Sequence, residues 1–140
     1  TVGKGISPDG EALVFIADTL RTGVVPADLR AALYKAAAGI PRVTITDKAA
    51  TLDGRTGIAF GRDEGNGVRQ EIIIDPDTGL LIGEREVLLR DGVLPGVPAG
   101  ASMGWTAVTT TVVNSAPAGG SICGSGSQPT GGAGSGECVG

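Results

Sequence analysis

One serine of the chain stands in the sequence setting of a catalytic nucleophile. Ser102 lies in Gly100–Gly104 (GASMG), which matches the glycine-X-serine-X-glycine pattern of a nucleophile elbow. A serine of this kind is activated by a neighbouring base, which is most often histidine, and the chain contains no histidine. An elbow also leads into a helix, whereas Trp105–Val108 (WTAV) has the pattern of a strand. We therefore interpret Gly100–Gly104 as a turn.

Thr1 is a second candidate nucleophile, because an N-terminal threonine can use its own amino group as the base. Enzymes of this kind hold the N-terminus rigidly in a buried site. The residues after Thr1 (VGKG) have a flexible composition instead. We interpret Thr1 as an end produced by processing or excision, and we predict that the chain has no catalytic residue.

Three acidic residues resemble part of a calcium-binding loop. Asp75, Asp77 and Glu84 occupy the first, third and tenth positions of such a loop, but its fifth position is Gly79 and its flanks have strand patterns. The four residues from Pro76 to Gly79 (PDTG) are typical of a hairpin turn. The sequence therefore predicts a turn here, with Glu84 as a charge on a strand, and no metal or cofactor.

Both cysteines, Cys123 and Cys138, lie in a final segment, Ala116–Gly140, that consists mostly of Gly, Ser, Ala, Pro and Thr. Such a segment has few apolar side chains to offset its ordering entropy. With Glu137 the cysteines offer too few ligands for zinc. We predict a Cys123–Cys138 disulfide, within one chain or between copies, and hence an oxidising compartment. A bridge that closes a loop of about 15 residues would contribute roughly 3 kcal/mol.

Two helices are predicted near the N-terminus. A serine-proline-aspartate start at Ser7 and apolar residues at helical spacing predict a first helix that ends at Gly23. A second helix opens at Pro26 and ends where Gly39 precedes Pro41.

Beyond Pro41 the apolar period changes to two, which predicts strands separated by glycine-containing turns. In the third strand the face that carries Ile72 and Ile74 is expected to pack on the helices and the other to be mostly solvated, with Ile73 as an exception that marks a contact surface. The predicted strands are Val43–Thr46, Thr56–Phe60, Val68–Asp75, Leu80–Leu89 and Trp105–Val113. We predict an α+β fold in which two N-terminal helices pack on a five-stranded antiparallel meander, followed by a Gly/Ser-rich tail.

Composition and charge restrict the class of protein. The length of 140 residues predicts one α+β domain, residues 1–115, with a tail at residues 116–140. Apolar residues make up 41% of the chain but aromatic residues only 3%, so the core is aliphatic. A net charge of −4 disfavours nucleic acid as a partner. No apolar run reaches the ~18 residues of a membrane span, which predicts no membrane insertion by this segment. We expect an extracellular or cell-surface location.

The stretch from Pro26 to about Val113 resembles the C-terminal half of the extracytoplasmic region in an uncharacterised actinobacterial family. Members of this family are single-pass proteins that are often encoded beside extracytoplasmic-function sigma factors. The matching pieces are LRAALYKAAAGIP, DGRTGIAFGR, VRQEIIIDPDTGLLIGER and PAGASMGWTAVTTTVV. The resemblance implies a non-enzymatic domain outside the membrane, with helices before an antiparallel sheet. The family has no defined catalytic residues to transfer.

Three functional hypotheses follow. The main one is a non-catalytic extracytoplasmic interaction or sensor domain that binds a protein partner. Its rival is a self-assembling, filament-like structural subunit that binds other copies of itself, since a meander has edge strands that another extended segment can pair with. A third class, a carrier of an apolar ligand, requires a cavity between the helices and the sheet.

Overall fold

A computed structural model describes residues 7–22 and 25–116 of the chain. The strands form one antiparallel sheet in which the spatial order equals the order along the chain. This confirms the predicted α+β fold of two helices and a five-stranded meander. The elements are α1 (Pro8–Leu20), α2 (Ala27–Gly39), β1 (Thr44–Leu52), β2 (Arg55–Asp63), β3 (Val68–Ile74), β4 (Leu81–Leu88) and β5 (Ser102–Ala107).

The chain divides into two units between Thr110 and Thr111. In the second unit the described residues, 111–116, contain neither helix nor strand. Cys123 and Cys138 lie outside the described residues, so their disulfide stays a prediction. Neither described helix has the length and hydropathy that a membrane-spanning helix needs.

Helix α1 begins as its sequence predicts and supplies most of the helical part of the core. The Ser7 hydroxyl accepts a hydrogen bond from the Gly10 N–H at 3.1 Å, which satisfies one of the free donors of the first turn. The helix buries one apolar face against the sheet. Its buried apolar residues, Leu13, Ile16, Ala17 and Leu20, pack in one cluster with Ile72 of β3 and Leu81 of β4.

Helix α2 covers the sheet less completely. Ala37 is its one buried residue, and Leu33 and Tyr34 are partly buried against the same cluster. An alanine-rich face fills little volume, so the sheet beneath α2 is not fully covered. This incomplete packing leaves space between α2 and the first two strands.

Three strands differ clearly from their predicted bounds. Strand β2 extends to Asp63, three residues beyond its predicted end at Phe60. Strand β1 continues to Leu52, although the polar residues after Ile45 break the alternation, because pairing with β2 holds them in the sheet across two register shifts. Strand β5 begins at Ser102 and ends at Ala107. Strand β5 runs antiparallel to β4, so the chain after Ala107 approaches the first residue of β4, Leu81. Shortly beyond Val108 the chain passes this residue and has no β4 residue opposite it.

The sheet face opposite the helices, which we call the inner face, is not solvated as the sequence predicts. Ile73 is fully buried there in a second apolar cluster. The sheet curls over this face: a Cβ on Gly83 of β4 would lie 2.6 Å from Cδ2 of Leu52 in β1. In a flat sheet those two strands would be about 14 Å apart. The members of the inner cluster are Ala50, Leu52, Ala59, Ile73, Ile82 and, partly buried, Ala107.

Candidate functional site

An apolar groove lies on the helix face of the sheet, between α2 and strands β1 and β2. Its volume is about 370 Å³, which falls in the lower part of the range of small-molecule sites. Ile45, on the edge strand β1, remains 61% exposed at its border. The groove is lined by apolar residues together with two hydroxyl-bearing ones: Tyr34, Ala38, Val43, Thr44, Ile45, Ile58, Phe60 and Ile74.

Tyr34 fixes the wall that α2 contributes to the groove. Its ring meets the ring of Phe60 edge to face, with centroids 6.2 Å apart and planes at 84°. Its hydroxyl donates a hydrogen bond to the Gly79 carbonyl oxygen in the β3–β4 turn at 2.7 Å. This hydroxyl is therefore already engaged. The Thr44 side chain does not face the groove, because Thr44 pairs with Gly61, which stands opposite Glu71 on the inner face.

The surroundings of Tyr34 change its acidity. Burial raises the pKa of Tyr34 from 10.0 to about 12, because the phenolate would lose hydration, and the positive charge of Arg30 offsets part of this rise. A raised pKa means that the neutral ring is the form that the fold favours.

Tyr34 is the one tyrosine of the chain, so its titration is directly observable. We expect the native protein to form tyrosinate with a midpoint near 12 and the urea-unfolded chain with a midpoint near 10.0. The stabilising contribution is complete below pH 10.0 and is lost as the pH rises toward about 12, since the unfolded chain ionises first. Tyrosinate absorbance measures both midpoints. A native midpoint near 10.0 would contradict the burial of this ring.

On the inner face a carboxylate is buried between two arginines. Glu71 is fully buried, and its two oxygens accept hydrogen bonds from Nε of Arg69 and Nε of Arg85, each at 2.7 Å. Arg85 also lies 3.9 Å from the carboxylate of Asp47 in β1. On β2, Gly61 stands opposite Glu71, and a Cβ at Gly61 would lie 2.9 Å from Cγ of Glu71. The group is electrically balanced, which is typical of a structural ion-pair network.

A second buried network joins the start of α1 to the sheet. Arg62 is 3% exposed, and its Nη1 donates to Oγ of Ser7 at 3.0 Å and to Glu64 at 2.8 Å. Its Nε donates to the carbonyl oxygen of Pro41 at 3.0 Å. Arg62 therefore holds both the N-terminus of α1 and the turn between α2 and β1, which forms one end of the groove.

Ser102 lies at the exposed start of β5, after a loop rather than on a strand-to-helix turn. Its hydroxyl lies 3.3 Å from the carbonyl oxygens of Glu86 and Gly104, and no basic side chain contacts it among the described residues. Gly100 and Ala101 belong to this loop, but Ser102, Met103 and Gly104 are the first residues of β5, so the turn interpretation holds only for the start of the GASMG segment. Thr1 lies outside the described residues.

The three acidic residues of the calcium-loop pattern lie in separate settings. Asp75 accepts a hydrogen bond from the Asp77 N–H at 2.9 Å, and this bond holds the pKa of the Asp75 carboxyl below its usual value. Gly79 has φ of +70° in the same turn, as a hairpin at this position requires. Glu84 lies on β4 and pairs with Arg21 at 3.1 Å. Within the described residues no group of three or more metal-ligating side chains is close enough to hold an ion.

A cavity of about 330 Å³ lies beside this hairpin, and polar groups line it. The guanidinium of Arg55 is already used there, because it donates to the carbonyl oxygens of Val108 at 2.8 Å and Ile82 at 3.2 Å. These hydrogen bonds connect β2 to β4 and to the residue that follows β5. This guanidinium is therefore not free to bind a ligand in the cavity.

The groove was not visible from the sequence, because its residues come from α2 and three strands. Tyr34 and Ala38 stand one helical turn apart and share one side of α2. The face of α2 that the sequence assigns to the core is a different set of residues: Leu29, Leu33, Ala36, Ala37 and Ile40. No family model matches the chain, and no curated protein and no solved structure shows significant similarity to it.

Proposed function

We propose that the chain is a non-catalytic, extracytoplasmic binding domain that takes up the apolar chain of a small molecule in the groove between α2 and β1–β2. The observation that carries the proposal is the groove itself, with about 370 Å³ of space and a mostly apolar lining in which the Tyr34 hydroxyl already has a partner. Sites of this size and polarity suit small apolar ligands. Burial of such a ligand also covers the exposed side of Ile45.

A small ligand suits the groove better than an extended polypeptide does. A polypeptide would pair with the free edge of β1, which runs beside the groove. That edge is interrupted by register shifts on either side of Asp47, and Asp47 and Lys48 are both exposed. Irregular pairing and charged side chains are the features that keep an edge strand from accepting another strand.

The extracytoplasmic part of the proposal is supported by the resemblance to the actinobacterial family and by the two cysteines, which are compatible with an oxidising compartment. A domain in this location that holds an apolar molecule would act as a carrier or as a sensor of that molecule.

Self-assembly is the second candidate, and the outer edge of β5 favours it. Two large apolar residues of this edge strand are exposed, Met103 at 41% and Trp105 at 57%. A second copy that pairs along β5 would cover both of them. In that case the groove plays no part in function.

Calorimetric titration with decanol, a neutral single-chain alcohol, tests the groove. We expect saturable binding with a negative heat-capacity change, the marker of apolar burial. Ile45→Glu should weaken the affinity by about tenfold or more, because it removes an apolar contact and places a charge at the site. Since Ile45 is exposed, this substitution should leave the fold intact.

Leu29→Gln is the matched control, because Leu29 is 48% exposed on α2 and does not line the groove. It should leave decanol affinity unchanged. Absence of decanol binding, or equal losses in the two variants, would refute the proposal. Light scattering of the same samples tests the second candidate, which predicts association that Trp105→Thr abolishes.

A further inference from the structure

We infer that the natural ligand of the groove is a single-chain amphiphile with an anionic head group, and that Arg42 binds this head group at the end of the groove formed by the α2–β1 turn. The inference rests on the proposed function, because it assigns a ligand class to the same groove.

The first observation is the position and backbone of Arg42. It directly precedes Val43, which lines the groove, and its side chain is exposed. Its φ is +67°, in the left-handed region. For a residue other than glycine this conformation is strained, because Cβ comes too close to the following carbonyl oxygen. The turn therefore carries a cation at a position where glycine would be less strained, as is typical of residues kept for function.

The second observation is the distribution of charge around the groove. Lys35 follows Tyr34 on α2 and stands one helical turn before Ala38, so a second exposed cation flanks the same wall. Among the described residues neither Arg42 nor Lys35 forms an ion pair. Both positive charges are available to an anionic group.

The carboxylates nearest this end have other partners: Glu64 and Asp9 pair with Arg62 at 2.8 and 3.4 Å, and Asp63 accepts a hydrogen bond from the Gly65 N–H at 2.7 Å. Asp28 lies in the first turn of α2, at the other end of the helix. Asp47 of β1 accepts a hydrogen bond from the Ala49 N–H at 2.9 Å and faces Arg85 on the inner face. The acidic turn that contains Asp75 is at the opposite end, where the Tyr34 hydroxyl meets Gly79. Arg42 and Lys35 are therefore cations that none of the described carboxylates pairs with, and an anionic head group at this end would meet them.

The third observation is the size of the groove. A volume of about 370 Å³ is near the lower limit for sites that enclose a small molecule. One hydrocarbon chain suits this space better than two. We therefore assign a free single-chain carboxylate, rather than a two-chain phospholipid of a membrane surface, as the ligand class.

Calorimetric titrations with decanoate and decanol test the assignment, since the two ligands share a chain and differ in the head group. We expect the wild-type protein to bind decanoate about two- to fivefold more tightly than decanol. Arg42→Gly should remove most of this preference, leaving only what Lys35 contributes, and should leave the decanol affinity unchanged; glycine suits the backbone at this position. Arg42→Lys should keep most of the preference. Added salt should weaken decanoate binding alone.

The outcomes separate the two proposals. Equal affinity for decanoate and decanol in the wild-type protein, or equal weakening of both by Arg42→Gly, would overturn the head-group assignment and leave the proposed function standing. Failure of both ligands to bind would refute the proposed function itself. Binding to phosphatidylglycerol vesicles in a sedimentation assay, without binding of monomeric decanoate, would overturn the single-chain ligand.

Discussion

Replacement of Glu71 by alanine is expected to lower the free energy of unfolding by about 3–5 kcal/mol. Glu71 is fully buried and accepts hydrogen bonds from both Arg69 and Arg85. Without the carboxylate the two guanidinium groups lie close together on a partly buried face and repel each other. The cost is that of breaking a buried ion pair by removing one partner, which exceeds the cost of losing an exposed pair.

Glu86→Ala is the matched control, because Glu86 is an exposed glutamate of the neighbouring strand β4 and its side chain takes part in no ion pair of the described residues. It should change the unfolding free energy by no more than about 0.5 kcal/mol. Urea unfolding followed by circular dichroism and by the fluorescence of Trp105, the one tryptophan, measures both. Similar effects of the two substitutions would show that Glu71 is not buried between its arginines.

The elements that local chemistry determines were predictable from the sequence. The serine cap and following proline locate the start of α1 at Ser7, and the turn after Asp75 separates β3 from β4 as its composition indicates. Alternation in β3 also placed Ile72 and Ile74 correctly toward the helices. These signals lie within a few residues of each other, so no tertiary information was needed.

The inner face was not predictable, because its burial comes from curling of the sheet rather than from a covering helix. Arg69, Glu71 and Arg85 alternate with apolar residues as solvated charges do, and the sequence does not show that β1 folds back toward β4. Contact between Leu52 and the backbone at Gly83 produces that burial. Charges that the pattern assigns to solvent therefore form a buried network.

The groove was not predictable for a related reason. The sequence assigns Tyr34, Phe60 and Ile74 to the core, and each does contact the core. The same assignment is wrong for Phe15 and Trp105, which are 64% and 57% exposed. Whether core residues also border an open space depends on how closely α2 approaches the sheet, which is a matter of side-chain volume across several elements. A hydrophobic pattern reports which side chains avoid water and not whether they fill the space between them.

Replacement of Arg62 by alanine is the second substitution with a large expected effect, about 3–5 kcal/mol of unfolding free energy. Arg62 is almost completely buried, and its loss leaves the Glu64 carboxylate, whose side chain is 8% exposed, without its ion-pair partner. The same change frees the Ser7 cap of α1 and the carbonyl oxygen of Pro41. Each group that loses its partner in a buried position adds to the cost.

Arg62→Lys separates the charge of this side chain from its shape. A single ammonium group cannot bridge Pro41, Ser7 and Glu64 as the branched guanidinium does, so lysine should restore only part of the lost stability. Because the Pro41 contact holds the turn that ends in Arg42 and Val43, Arg62→Lys should also weaken decanoate binding under conditions where it remains folded. Arg90→Ala, at an exposed residue outside the described ion pairs, is the control and should change neither property. Full stability of Arg62→Lys, or decanoate affinity equal to that of the wild type, would show that the α2–β1 turn holds its position without this arginine.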